Sequence, residues 1–203
     1  MAIIEFINVS KYYGKKPGIL NASFKIEEGD IVIFEGHNGS GKTTTIKLIL
    51  GLLFLKKRDS GKIIKDKKSY SYLPEKMILP PFIQSKEFIS DILKSKGKID
   101  DIDLYFDWFN LSPNELIGGL SKGMRQKLGI IQLVISDADV LVLDEPLSGL
   151  DDMAVSRVIE MLGNLARKGK TIIISTHNKA AFIDISNKVM RFQNHEIISF
   201  GNT

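Results

Sequence analysis

An α/β fold built on a parallel sheet is predicted by three short apolar runs, Ile31–Phe34, Val140–Leu143 and Thr171–Ser175, each of strand length. Continuous rather than alternating hydrophobicity marks strands covered on both faces, the habit of parallel sheets. Segments of helical period lie between the runs and supply the strand–helix alternation of that class. With 203 residues, one domain with a sizeable core is expected.

The elements follow in order. Ile3 to Val9 and Ile19 to Ile26 alternate in part and read as an antiparallel piece. After Ile31–Phe34 a glycine-rich loop leads into a helix from Lys42 to Leu53. Ile63-Ile64 and Tyr70–Leu73 are short strand candidates around a lysine-rich turn. Pro74, Pro80 and Pro81 then break the chain, and Lys86–Leu93 and Ile102–Phe109 carry helical spacing. Ser121–Ile135 is a longer helix and Met153–Arg167 an amphipathic one. A hairpin of Lys188–Phe192 and Glu196–Phe200 completes the pattern, with His195 in its turn and no role assigned to it. The expected organisation is a single domain, 1–203, with its core in about 1–73 and 136–203 and a helical insertion over about 74–135. Trp108 is expected to join Phe106 and Phe109 in a small core of that insertion.

Composition excludes several classes. Hydrophobic residues at 43% and charged residues at 26% rule out wholesale disorder. The lack of cysteine removes disulfides, thiolate metal sites and thiol nucleophiles. His37, His177 and His195 show no metal-ligand spacing. The longest nearly apolar stretch, Leu48–Leu55, is too short to span a bilayer. Met1–Glu5 lacks a basic region followed by an apolar one, so a cytosolic chain is expected. The net charge of +4 gathers at Lys56-Lys57-Arg58, Lys65–Lys68 and Lys94–Lys98. Aromatic residues do not interleave with these runs, so they read as solvated surface and no nucleic-acid partner is expected.

Gly36-His37-Asn38-Gly39-Ser40-Gly41-Lys42-Thr43 matches G-x-x-x-x-G-K-[ST] at every fixed position, between a buried strand and a helix. Glycines let the backbone curl until its N–H groups point inward at phosphate oxygens. The following helix turns its positive end to the same phosphates. Lys42 supplies a charge for the β- and γ-phosphates, and the Thr43 hydroxyl can ligate Mg²⁺. Asn38, Gly39, Ser40, Gly41 and Thr44 complete the candidate cradle. Val140–Leu143 runs into Asp144-Glu145-Pro146, at the sheet rim where open α/β folds bind ligands. Asp144 is placed to hold Mg²⁺ beside Thr43, and Glu145 to take a proton from an attacking water.

Leu120-Ser121-Lys122-Gly123-Met124-Arg125-Gln126-Lys127 resembles the L-S-G-G-Q signature of ATP-binding-cassette (ABC) ATPases with its R-Q-[RK] extension. Other elements fall in family order. Tyr13, in Lys11-Tyr12-Tyr13-Gly14, resembles the aromatic that stacks on adenine, Ser148-Gly149-Leu150-Asp151 the D-loop, and His177 the switch histidine that reaches the γ-phosphate. The resemblance covers essentially the whole chain. It implies an ATPase that works as a head-to-tail pair, homodimer or heterodimer, in which Ser121 and Gly123 serve the nucleotide of the opposite protomer. It also implies separate transmembrane subunits at the cytoplasmic face of the membrane, with soluble ABC machines of ribosome, DNA or iron–sulfur assembly as the alternative. Lys122 and Met124 depart from the signature in the manner of exporters. Glu75, in Tyr72-Leu73-Pro74-Glu75, stands where most of the family has the Q-loop glutamine, and could still approach Mg²⁺.

Overall fold

The computed structural model describes residues 1–96 and 101–203; Lys98, in the third lysine cluster, lies outside them. Nine strands and five α-helices follow one another among the described residues: β1 (Ala2–Tyr13), β2 (Lys16–Glu27), β3 (Ile31–Glu35), α1 (Lys42–Ile49), β4 (Ser60–Lys65), β5 (Tyr70–Leu73), α2 (Ser85–Ser95), α3 (Ile102–Phe109), α4 (Lys122–Ile135), β6 (Val140–Asp144), α5 (Asp152–Arg167), β7 (Thr171–Thr176), β8 (Lys188–Gln193) and β9 (Glu196–Asn202). Six strands form one sheet in the order β5-β6-β7-β3-β8-β9, parallel except for the β8–β9 hairpin. The other three make an antiparallel sheet, β2-β1-β4.

The three apolar runs occupy adjacent positions, β6, β7 and β3, and their alternate residues serve two different cores. Ile31, Ile33, Leu141, Leu143, Ile172 and Ile174 pack towards α2–α5. Val32, Phe34, Val140, Val142 and Ile173 pack towards α1 and the antiparallel sheet. Burying one such side chain stabilises by about 1.5–3 kcal/mol, so neither face tolerates a polar run. Parallel pairing with both faces covered sends the ends of β3, β6 and β7 to one rim, where Asp144 lies in the register row of Ser175 and Phe34, and Glu35 and Thr176 pair one residue beyond.

Several expectations need correction. The helix after the phosphate loop ends at Ile49 rather than Leu53, where Gly51 (φ 72°) lets the chain turn away. The candidate strands around the lysine-rich turn do form, but in different sheets: β4 pairs with β1 and β5 with β6. Lys65–Lys68 is therefore the passage between sheets. Ser121 caps α4 instead of joining it, its Oγ accepting from Met124 N–H at 3.2 Å.

Trp108 does not belong to a core. Ile102, Phe106 and Phe109 share the buried face of α3 at helical spacing, whereas Trp108 stands two residues past Phe106 and is 42% exposed. Arg157 covers part of its ring and donates to its carbonyl.

Candidate nucleotide site

Gly41 carries φ 114°, and a Cβ there would meet the Gly18 carbonyl at 2.8 Å, so only glycine fits between the loop and β2. Lys42 follows as the first residue of α1. Its ammonium donates to the Gly36 and His37 carbonyls at 2.6 and 3.1 Å, which folds the loop around it. Burial pushes the Lys42 ammonium below the usual lysine range, while Glu145, Asp144 and Glu75 pull it back up. The Ser40 hydroxyl is buried in the same loop without a partner.

On the facing strand end the Thr43 hydroxyl donates to Asp144 Oδ2 at 3.2 Å. Burial raises the Asp144 pKa; the Thr43 hydroxyl opposes that, and the Glu75 and Glu145 charges add to it. The same surroundings push the Tyr72 hydroxyl up to about 12, burial first, then Asp144 and Glu75. Three carboxylates converging on one rim create a demand for positive charge, to which Lys42 is coupled. Among the described residues, no group of three His, Asp or Glu side chains is arranged to hold a metal ion unaided.

Glu145 sits at φ 50°, a left-handed conformation uncommon for a non-glycine residue. Its N–H donates to the Ser175 carbonyl at 2.8 Å, which ties it to β7. The twist aims its carboxylate at His177, whose Nδ1 lies 2.9 Å from Glu145 Oε2. Gln126 of α4 holds the next turn by donating to the Pro146 carbonyl at 2.9 Å.

A cleft of about 480 Å³ opens here, with Tyr13, Asn38, Gly39, Gly41, Lys42, Thr43, Thr44, Glu75, Asp144 and Glu145 in its wall. The Tyr13 hydroxyl is 3.5 Å from Thr44 Oγ1, so the aromatic stands beside the loop. Gly36 and His177 line an adjoining hollow with Glu35, His37 and Arg191. His177 reaches the site through Glu145.

Ser121 and Gly123 are not in this cleft. They lie at the start of α4, where a Cβ on Gly123 would come within 2.4 Å of the Gly149 carbonyl. Lys122 donates to the Ser148 hydroxyl at 2.6 Å, so the signature segment packs on the D-loop segment of its own chain. Asp151 caps α5 by accepting from Ala154 N–H at 2.8 Å. Pro17, Gly18 and His195 also line the cleft. The position of His195 in a hairpin turn carried no local signal for this.

The family described as "ABC transporter" matches residues 19–148. An uncharacterized ABC transporter ATP-binding protein, MJ1023 of Methanocaldococcus jannaschii, is 32% identical over 98% of this chain and 77% of its own. The zinc import ATP-binding protein ZnuC of Rickettsia conorii is 35% identical over 95% of this chain and 84% of its own. A solved dimeric structure of the ATP-binding cassette MJ0796, bound to ADP and Pi, superposes with a TM-score of 0.84 over 98% of both chains at 18% identity. The phosphate loop, the acidic strand end and these likenesses agree: the chain belongs to the ABC transporter family, as one of its ATP-binding, ATP-hydrolysing subunits.

Proposed function

We propose that this chain hydrolyses ATP to drive transport through separate membrane-spanning subunits, with the chemistry in the cleft between the phosphate loop and the ends of β6 and β7. The observation that carries this is the meeting, at one rim, of Lys42 and Thr43 with Asp144 and Glu145. The partnerless Ser40 hydroxyl and the side-chain-free Gly41 suit a polyphosphate, and Tyr13 offers a face for adenine. Lys42 would exchange the Gly36 and His37 carbonyls for phosphate oxygens, and the loop N–H groups would take the rest.

Thr43 and Asp144 present two hard oxygens 3.2 Å apart, a donor set that suits Mg²⁺ when phosphate and water complete the coordination. Held there, Mg²⁺ would neutralise phosphate charge, and Glu75, in the same cleft wall, would act on it through water. Glu145 accepts a proton from the attacking water as that oxygen bonds to the γ-phosphorus and the bridging oxygen leaves with ADP. His177 holds the Glu145 carboxylate in place and is the residue to meet the γ-phosphate.

Ser121 and Gly123 would serve the nucleotide of a second, head-to-tail protomer, since they stand outside their own cleft. We read residues 74–135 as the part that receives the transmembrane subunit. Among the described residues no helix is long and apolar enough to cross a membrane, which fits a subunit held at the cytoplasmic face by its partner. Lys122 and Met124 support export as the direction.

The test is affinity capture of the tagged chain from detergent-solubilised membranes, followed by ATPase assay. A co-purifying polytopic subunit that stimulates turnover is expected. Ribosomal proteins or DNA in its place would overturn the transport reading, and Lys42→Ala with unchanged ATP affinity would overturn the site.

A further inference from the structure

His195 occupies the second position of the two-residue turn between β8 and β9. Asn194 and His195 have φ of 48° and 68°, the left-handed pair of a type I′ hairpin, where glycine is the favoured second residue. A histidine there is strained without benefit to the turn itself. The turn is docked firmly: Leu20 N–H donates to the His195 carbonyl at 2.7 Å, and the His195 Cα lies 3.7 Å from where a Cβ on Gly41 would stand. His195 lines the cleft alongside Tyr13, Pro17, Gly18 and Thr44.

Its two nitrogens differ. Nδ1 is closed off from solvent and has no partner, whereas Nε2 is not among the buried, unpartnered atoms. A hydrogen on Nδ1 would strand a buried N–H donor, so the neutral ring carries its hydrogen on Nε2. An N–H on Nε2 would give the wall that also holds Tyr13 and the phosphate loop a further donor. Gly18, in the same wall, leaves room for the Tyr13 ring: a Cβ there would meet it at 2.8 Å.

We propose that His195 is a further nucleotide-binding residue, its Nε2–H donating to the sugar–phosphate oxygens that lie between the adenine on Tyr13 and the terminal phosphates on Lys42. The inference rests on the placement of the nucleotide argued above. It makes the C-terminal hairpin a third wall of the site, and it gives a physical reason for a side chain at a strained position.

Calorimetric titration of the full chain with MgATP and MgADP tests it, using His195→Asn, His195→Gly, His195→Gln and, as reference, Lys42→Ala. Asparagine and glycine both tolerate the left-handed turn but do not reach the nucleotide; glutamine restores an N–H donor. About tenfold weaker binding is expected for the first two, on the scale of one hydrogen bond to a charged group. The loss should be equal for MgATP and MgADP because the contact lies before the γ-phosphate. The glutamine variant should recover most of it, and without nucleotide the glycine variant should melt no lower than wild type. Wild-type affinity in the asparagine and glycine variants, or weakening that only follows a fall in melting temperature, overturns the proposal. Unchanged affinity in Lys42→Ala would instead sink the placement of the nucleotide, and this inference with it.

Discussion

Glu145 shows how one residue's backbone serves its side chain. A left-handed conformation costs a non-glycine residue on the order of 1–3 kcal/mol, tolerated where the surroundings over-determine it. Here the Ser175 carbonyl holds its N–H and the His177 ring lies 2.9 Å from its carboxylate. Replacing the carboxylate by an amide removes the proton acceptor but keeps shape and charge demand elsewhere intact. Glu145→Gln should therefore lose about 10²–10⁴-fold in turnover while retaining ATP affinity, measured by phosphate release and by titration. Near-normal turnover would take Glu145 out of the mechanism.

The element that presents Tyr13 depends on a buried ion pair. Lys11, near the end of β1, meets Asp59 at 2.5 Å with both side chains almost wholly enclosed. Asp59 also accepts from Tyr12 N–H at 2.9 Å and Lys56 N–H at 2.6 Å. These bonds fasten the tyrosine-bearing end of β1 to the turn before β4. Burial would raise the Asp59 pKa, but the Lys11 ammonium and the two backbone donors outweigh it and hold the carboxyl below its ordinary range. Asp59→Asn leaves the Lys11 charge buried and uncompensated, so a loss of about 3–5 kcal/mol is expected in urea unfolding at neutral pH. A carboxyl whose folded pKa is depressed contributes stability that is complete above its unfolded value, about 3.9, and disappears as pH falls through the folded one. The gap between wild type and Asp59→Asn should accordingly narrow below about pH 4. A gap that stays constant from neutral pH to pH 3 would contradict the assignment.

At the scale of the whole molecule, the signature segment stands outside the cleft of its own chain, as the proposed head-to-tail pairing requires. If the pair resolves only on hydrolysis, Glu145→Gln should accumulate as a dimer with ATP and stay monomeric with ADP. Gel filtration with light scattering reads this directly. Adding Ser121→Glu, which places a carboxylate where the partner's phosphate would lie, should return that variant to monomer. A monomer with ATP in Glu145→Gln would argue against the head-to-tail arrangement.

The sequence by itself determined the phosphate loop from Gly36 to Thr44, the acidic strand end at Asp144 and Glu145, and nearly every strand and helix. Those features depend on spacing along the chain, where periodicity and glycine placement act within a few residues. Tertiary structure alone decided the rest. Only packing places His195 in the wall of a cleft whose phosphate loop lies in a distant part of the chain, turns Trp108 outward from the face shared by Phe106 and Phe109, and sends β4 and β5 to different sheets. It also sets Gly123 against Gly149, outside the cleft of its own chain. Contacts of that kind are settled by how two cores and two sheets close on each other, and a side chain's neighbours at long range leave no periodic mark in the sequence that carries it.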